Sequence, residues 1–209
     1  MAGTRRRKIH GVGINDADYL VIKWREVTLD CGKVIKRREF SCPFYNKWAD
    51  MIKRCYSEKY QARGISYRGC TVCEEWKHFS TFKAWMETQD WQGKELDKDL
   101  LKRDNKIYSP EYCVFLSSKV NTFLIERREY RGPWPIGVYW HKAESKFIAQ
   151  INNPLDDTKE IIGRFKCPDE AYRAWLERKL FFAKGLAALE RDERVAQALI
   201  NRYINFEGL

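Results

Sequence analysis

Three groups of residues have the type and spacing to do chemistry. The first lies in Lys146-Phe147-Ile148-Ala149-Gln150-Ile151-Asn152. In an extended strand successive side chains face opposite ways, so Phe147, Ala149 and Ile151 form one face and Lys146, Ile148, Gln150 and Asn152 the other. Tyr139, His141, Lys159 and Ile161 are expected to share that second, outer face. Gln and Asn can pair bidentately with adenine, and Lys can reach guanine or a phosphate. The plain alternative is an ordinary solvated sheet face. The second group is cysteine. Cys70-Thr71-Val72-Cys73 has ligand spacing, and Cys55 and Cys113 could complete a four-thiolate structural Zn²⁺ site. Against zinc, there is one close pair only, and Cys55 and Cys113 sit in apolar segments where a thiol packs as a small hydrophobe. The third group is Arg5, Arg6 and Arg7, a basic arm suited to a polyanion.

Composition narrows the field. The chain has 209 residues, 44% of them hydrophobic, with eight Trp, so it can bury a core and is not expected to be disordered. Lys and Arg outnumber Asp and Glu by 39 to 29, a net charge of +10, which favours an anionic partner. No apolar run is long enough to span a bilayer, and no apolar stretch follows the arginine run as in a secretory signal. Seven Cys, an odd number scattered through apolar segments, fit a reducing cytoplasm better than a disulfide framework. Nothing points to a membrane partner or a small-molecule cofactor.

Elements must position these groups. Tyr19–Val27 and Val34–Phe40 are β-rich with Asp30-Cys31-Gly32 between them, which predicts a hairpin. Ser41-Cys42-Pro43 opens a helix whose apolar face carries Trp48, Met51, Ile52, Cys55 and Tyr56. A second helix is expected from His78 to Gln89. Leu96-Asp97-Lys98-Asp99 reads as a polar turn and Cys113–Leu116 as a short strand. Ser117 then suits the N-cap of a helix through Val120, Phe123 and Leu124. Two short strands and a helix make a β-β-α outline. The charged, Gly- and Pro-containing stretch 126–135 is the best domain boundary. Beyond it, Ile136–His141, Lys146–Asn152 and Lys159–Phe165 read as three strands. A helix follows from Cys167-Pro168-Asp169-Glu170 to about Leu189, and a last one carries Val195, Leu199, Ile200 and Tyr203.

Two family resemblances attach to these segments. Gly137-Val138-Tyr139-Trp140, Lys146 to Ile151, Ile162-Gly163-Arg164-Phe165 and Asp169-Glu170-Ala171-Tyr172 resemble the ethylene-response-factor-type domain of plants and its phage relatives. The resemblance covers about Trp134 to Lys184. It implies a three-stranded sheet lying in the major groove of double-stranded DNA and backed by a helix. The plant domains carry several arginines on that face; here the positions read Tyr139, His141, Gln150 and Asn152, so the base preference does not carry over.

The central region resembles the phage HNH homing-endonuclease family. The resemblance rests on Trp48, Arg54-Cys55-Tyr56, Val72-Cys73-Glu74-Glu75-Trp76, Phe79, Phe82, Tyr108-Ser109-Pro110-Glu111-Tyr112-Cys113 and Asn121, and covers about Pro43 to Phe123. It implies a hydrolase, a nuclease that cuts the phosphodiester with Mg²⁺ or Mn²⁺. A strand Asp and a helical Asn or His hold the metal, and a His beside that Asp activates water. Asn121 matches the helical ligand, and Asp97 or Asp99 the strand Asp. No His follows either Asp, whose neighbours are Lys98 and Leu100, and Tyr112 stands where an Asn usually precedes Cys113. His78 is the one His of this region and is the candidate base, its alternative being a surface or capping His. Lys98 is either a phosphate contact or a solvated lysine.

These readings together expect an α+β chain: residues 1–40 an arm and hairpin, 41–130 a β-β-α-metal nuclease-like region, 131–186 a three-stranded antiparallel sheet packed on one helix, and 187–209 a terminal helix. The expected activity is sequence-preferring duplex DNA binding with metal-dependent nicking attached. The alternative is a DNA-binding or regulatory phage protein that keeps the nuclease scaffold without its base. For a phage protein the compartment is the bacterial host's cytoplasm.

Overall fold

Gly32, with φ of +79°, lets the chain reverse where few side chains can follow, and the two β-rich segments around it pair. In the computed structural model, which describes residues 8–63, 67–126 and 132–204, they are the antiparallel strands β1 (Ile22–Thr28) and β2 (Val34–Ser41). Pro43 occupies the first turn of helix α1 (Pro43–Tyr56), which buries Trp48, Met51, Ile52 and Cys55 along one stripe, as the three- and four-residue spacing predicts. A short helix α2 (Glu58–Arg63) follows, then strand β3 (Thr71–Val72), a single helical turn at Glu75–Lys77 and helix α3 (Phe79–Glu87). Next come strands β4 (Lys94–Asp97), β5 (Ile107–Tyr108) and β6 (Val114–Ser117), and helix α4 (Ser118–Leu124). Ser117 caps α4 by accepting the Val120 amide at 3.2 Å, the role its position suggests. The last third holds strands β7 (Val138–His141), β8 (Lys146–Asn152) and β9 (Lys159–Phe165) and helices α5 (Pro168–Ala187) and α6 (Glu193–Ile204).

The chain divides into two compact units, residues 1–92 with 102–115, and residues 93–101 with 116–209. The first is built on aromatic side chains: Trp48, Trp76, Phe79, Phe82 and Tyr108 are almost fully buried, and the Trp48 indole N–H donates to the Trp76 carbonyl at 2.7 Å. Buried indoles find partners in this way because an unpaired N–H costs about 1–3 kcal/mol. β3 and β5 pair in parallel here, a two-residue ladder that no apolar run announces.

In the second unit β7, β8 and β9 form an antiparallel sheet in that order, and α5 packs across it. Ala149 of β8 and Ala171 of α5 are fully buried, which lets a sheet and a helix approach closely. Arg178 on α5 and Glu160 on β9 form an ion pair at 2.9 Å. β4, which pairs with β6, lies in this unit together with α4. No helix among the described residues is long and apolar enough to cross a membrane.

Lys179 ties α5 to α4. Its Nζ donates to the Phe123 carbonyl at 2.6 Å and lies over the rings of Phe123 and Tyr203. Burial pulls this amine down to about 7, with the Arg202 guanidinium adding to the effect and Glu126 opposing it. An unfolded lysine keeps its proton up to about pH 10.4. Between about pH 7 and 10 the unfolded chain therefore binds a proton that the folded chain lacks, and stability from this group rises with pH. Urea unfolding of the native protein and Lys179→Met at pH 7 and pH 9.5, roughly the two ends of that window, should show the difference shifting in favour of the native protein as pH rises. A constant difference would show that the buried amine titrates normally.

Candidate nucleic-acid interface

The pairing register determines what the sheet can present. Tyr139 lies opposite Ile148 and His141 opposite Lys146; on the other side Ile148 faces Arg164, Gln150 faces Ile161, and Asn152 faces Lys159. Partners across a ladder share a face, so Tyr139, His141, Lys146, Ile148, Gln150, Asn152, Lys159 and Ile161 gather on one side, as the alternation predicts. Val138, Phe147, Ala149, Ile151 and Glu160 lie on the other, where α5 packs. Ile148 departs from the expectation in one respect: although it lies on this face, it is buried, 1% exposed.

Arg164 was missed by alternation. Counting by twos from Lys159 puts Gly163 and Phe165 outward and Arg164 inward. The ladder slips between Ala149 and Gln150, where β9 spends one extra residue. That bulge reverses the parity, and Arg164 comes to the outer face opposite Ile148. Its Nε contacts the Glu144 carboxylate at 2.6 Å, while the Glu144 amide donates to His141 Nδ1 at 3.3 Å. Lys146, Gln150, Asn152 and Lys159 make no side-chain hydrogen bond or ion pair among the described residues. Asn152 also lines a cleft of about 620 Å³ with Lys119, Asn153, Trp175 and Lys179. The face thus offers two amides, two lysines and an arginine held by one carboxylate, a set suited to base edges and phosphates.

The side chains expected to hold a metal are arranged differently. Asn121 on α4 reaches β4, but its amide nitrogen donates to Glu95 at 2.8 Å rather than meeting Asp97 or Asp99. Glu95 is two residues before Asp97 and so shares its strand face; the alternation in Lys94-Glu95-Leu96-Asp97, with Leu96 buried, is the signal that would have found it. Asp97 Oδ1 accepts the amides of Asp99 and Leu100 at 2.9 and 2.7 Å, closing the turn after β4. Burial raises the Asp97 pKa, the two amides counteract it, and the Asp99 charge adds to it. Asp99 pairs with Lys98 at 2.6 Å, and Lys98 is buried, so it is neither a solvated lysine nor an open phosphate contact. One oxygen of Asp97 is thus engaged with the turn and one of Asp99 with Lys98.

His78 lies in the first unit, just before α3. Its Nδ1 is 3.2 Å from Asp16 Oδ2, and the same carboxylate accepts the Ser80 amide and hydroxyl at 2.8 and 2.6 Å. Burial alone would raise the Asp16 pKa, but the Ser80 and His78 contacts outweigh it and hold it low. Asp16 therefore caps α3, and His78 serves that cap. Cys55, Cys70 and Cys113 are buried and Cys73 half-buried, all as thiols. No group of three or more His, Cys, Asp or Glu able to hold a metal occurs among the described residues, so the four cysteines do not converge as zinc ligands. Burial pushes the Cys73 thiol pKa up. Arg5, Arg6 and Arg7 lie outside the described residues.

Compared with known proteins, the chain matches no family model, no curated protein and no solved structure.

Replacing Asn121 probes the β4–α4 contact directly. Asn121→Ala removes one half-exposed hydrogen bond to Glu95, and a loss of about 1 kcal/mol is expected in chemical unfolding. Duplex binding should stay within twofold. A tenfold loss of binding would instead put Asn121 in the DNA contact.

Proposed function

We propose that this protein binds duplex DNA with sequence preference through the outer face of β7, β8 and β9. The observation that carries the reading is the register that gathers Lys146, Gln150, Asn152, Lys159 and Arg164 on the one sheet face that α5 leaves uncovered. Four of the five have no side-chain partner among the described residues. The net charge of +10 supports the same partner. Gln150 and Asn152 carry base-edge donors and acceptors without charge; Lys146 and Lys159 carry charge without sequence information. The resemblance to ethylene-response-factor-type domains implies the same use of a three-stranded sheet. The nuclease-like region is, on this reading, a scaffold, and no cleavage step is assigned to Asp97, Asp99, Asn121 or His78.

Two measurements test the proposal. After selection of a preferred site from a random duplex library, Gln150→Ala with Asn152→Ala should lower affinity for that site by roughly 10-fold or more, since a bidentate pair is worth about 1–3 kcal/mol. Affinity for unrelated duplex should hold. Replacing Arg5, Arg6 and Arg7 should do the reverse. Equal losses on all sequences from both variants would show that the sheet is not the reader. Incubation of supercoiled DNA with Mg²⁺ or Mn²⁺ separates the scaffold reading from an endonuclease: the expected result is no nick, and a nick lost in Asn121→Ala would reinstate the enzyme.

A further inference from the structure

The β1–β2 ribbon belongs to the first unit and is solvated on both faces; only Ile22, Val27, Ile35 and Ser41 of its fifteen residues are even half-buried. Such a ribbon contributes little to a core, and two strands alone are marginal in water. From Ile22 to Ser41 it carries Lys23, Arg25, Lys33, Lys36, Arg37 and Arg38 against Glu26, Asp30 and Glu39, six bases to three acids. Lys23 is paired with Glu39 at 3.1 Å, and Arg38 lies over the Trp24 ring at 5.4 Å. Arg25 and Arg37 are different. The register sets them directly opposite each other, and neither has a hydrogen-bond or ion-pair partner among the described residues. Like charges at opposed positions destabilise a ladder. The slip after Lys23, where Glu39 is the extra residue, is what brings Arg25 against Arg37 rather than against Arg38.

We infer that the β1–β2 ribbon is a second duplex-DNA contact, in which Arg25 and Arg37 together hold a backbone phosphate. An anion between the two guanidiniums converts their repulsion into two charge-assisted contacts, and guanidinium forks match phosphate oxygens bidentately. The ribbon's dimensions suit the partner. Two strands about 4.8 Å apart are narrower than the major groove, about 12 Å wide, and seven residues reach roughly 24 Å along it. Charge selects a polyanion. Trp24, the ribbon's largest exposed aromatic, is covered on one side by Arg38, which favours a nucleic-acid backbone over insertion into lipid. The ligand is that of the proposed function, but the residues are others and lie in the other unit, so each can fail alone.

The test is a salt titration of the full-length protein on a duplex of unrelated sequence. Each phosphate contact contributes about 0.9 to the slope of log affinity against log salt. Arg25→Ala with Arg37→Ala should reduce the slope by about 1, the share of one phosphate, with thermal stability unchanged or raised because the like-charge pair is gone. Arg25→Lys with Arg37→Lys should keep most of the slope. Lys184→Ala with Arg191→Ala, which removes the same charge from exposed positions elsewhere, should leave it unaltered. An unchanged slope in the double-alanine variant overturns the inference. So does an equal fall in the Lys184/Arg191 control, or binding to phosphatidylserine vesicles that depends on the two arginines while duplex binding does not. A reduced slope in the ribbon variant with no loss of discrimination in the Gln150/Asn152 variant would sustain the ribbon and remove the sheet as reader.

Discussion

Duplex DNA should bind this protein at 50 mM salt and lose roughly 10³-fold in affinity by 200 mM. The magnitude follows from counting cations. Lys146, Lys159 and Arg164 lie on the sheet face and Arg25 and Arg37 on the ribbon; Arg5, Arg6 and Arg7 add to them from the N-terminal segment. With Arg25 and Arg37 sharing one phosphate and Arg164 already held by Glu144, these eight cations make about six phosphate contacts, which at about 0.9 each give a slope near 5, and a fourfold rise in salt then costs about three orders of magnitude. Glu144 moderates the figure because it already neutralises Arg164 at 2.6 Å. Glu144→Gln should therefore strengthen binding to all duplexes alike. Fluorescence anisotropy across a salt series measures both. A flat response, or no binding at low salt, would remove nucleic acid as the partner and return the +10 charge to a mere solubility feature.

The largest stability effect is expected at Gly137. It precedes β7 with φ of +78°, and a Cβ built there would lie 2.0 Å from Trp175 Cδ1 and 2.2 Å from Nε1. Two costs combine. The left-handed conformation costs an L-residue about 1–2 kcal/mol, and overpacking a core costs about 1–3 more when the obstacle cannot move. Trp175 cannot move cheaply: it is 3% exposed and is the side chain by which α5 meets the start of the sheet. Gly137→Ala should thus lose about 3 kcal/mol, roughly 6–12 °C in Tm for a chain of this size. Gly32→Ala is the matched control. Its φ is +79° but nothing lies within 4 Å of the added carbon, so the conformational cost appears alone. If the two variants melt together, Trp175 yields to the methyl group and the helix does not define the sheet's position. Because Gly137→Ala disturbs the first strand of the proposed reading face, its DNA affinity should fall with the folded fraction.

The architecture was largely legible without coordinates. Apolar residues three and four apart in α1, strict alternation in β8, Pro43 and Pro168 at helix starts and Ser117 at a cap are local signals, each set by the geometry of a single element. Sequence alone was therefore enough for α1, α3, α4, α5 and α6, the three-stranded sheet and which residues of β8 share a face, but it missed α2 and read as a polar turn the residues where β4 ends. What it could not supply depends on how strands meet. The slips in the β8–β9 and β1–β2 ladders reverse parity, bringing Arg164 outward and Arg25 against Arg37, and a slip is a property of a pair of strands. The same holds for the candidate metal site. Asn121 is more than twenty positions from Asp97 and Asp99, and only tertiary packing decided that Asn121 meets Glu95 while Asp97 turns to its own loop amides. Cys70 and Cys73 had ligand spacing, yet among the described residues no group of three or more potential ligands comes together, and whether Cys55 and Cys113 join them is a matter of packing. Chemistry between distant residues needs three-dimensional coincidence, which no single element's periodicity encodes.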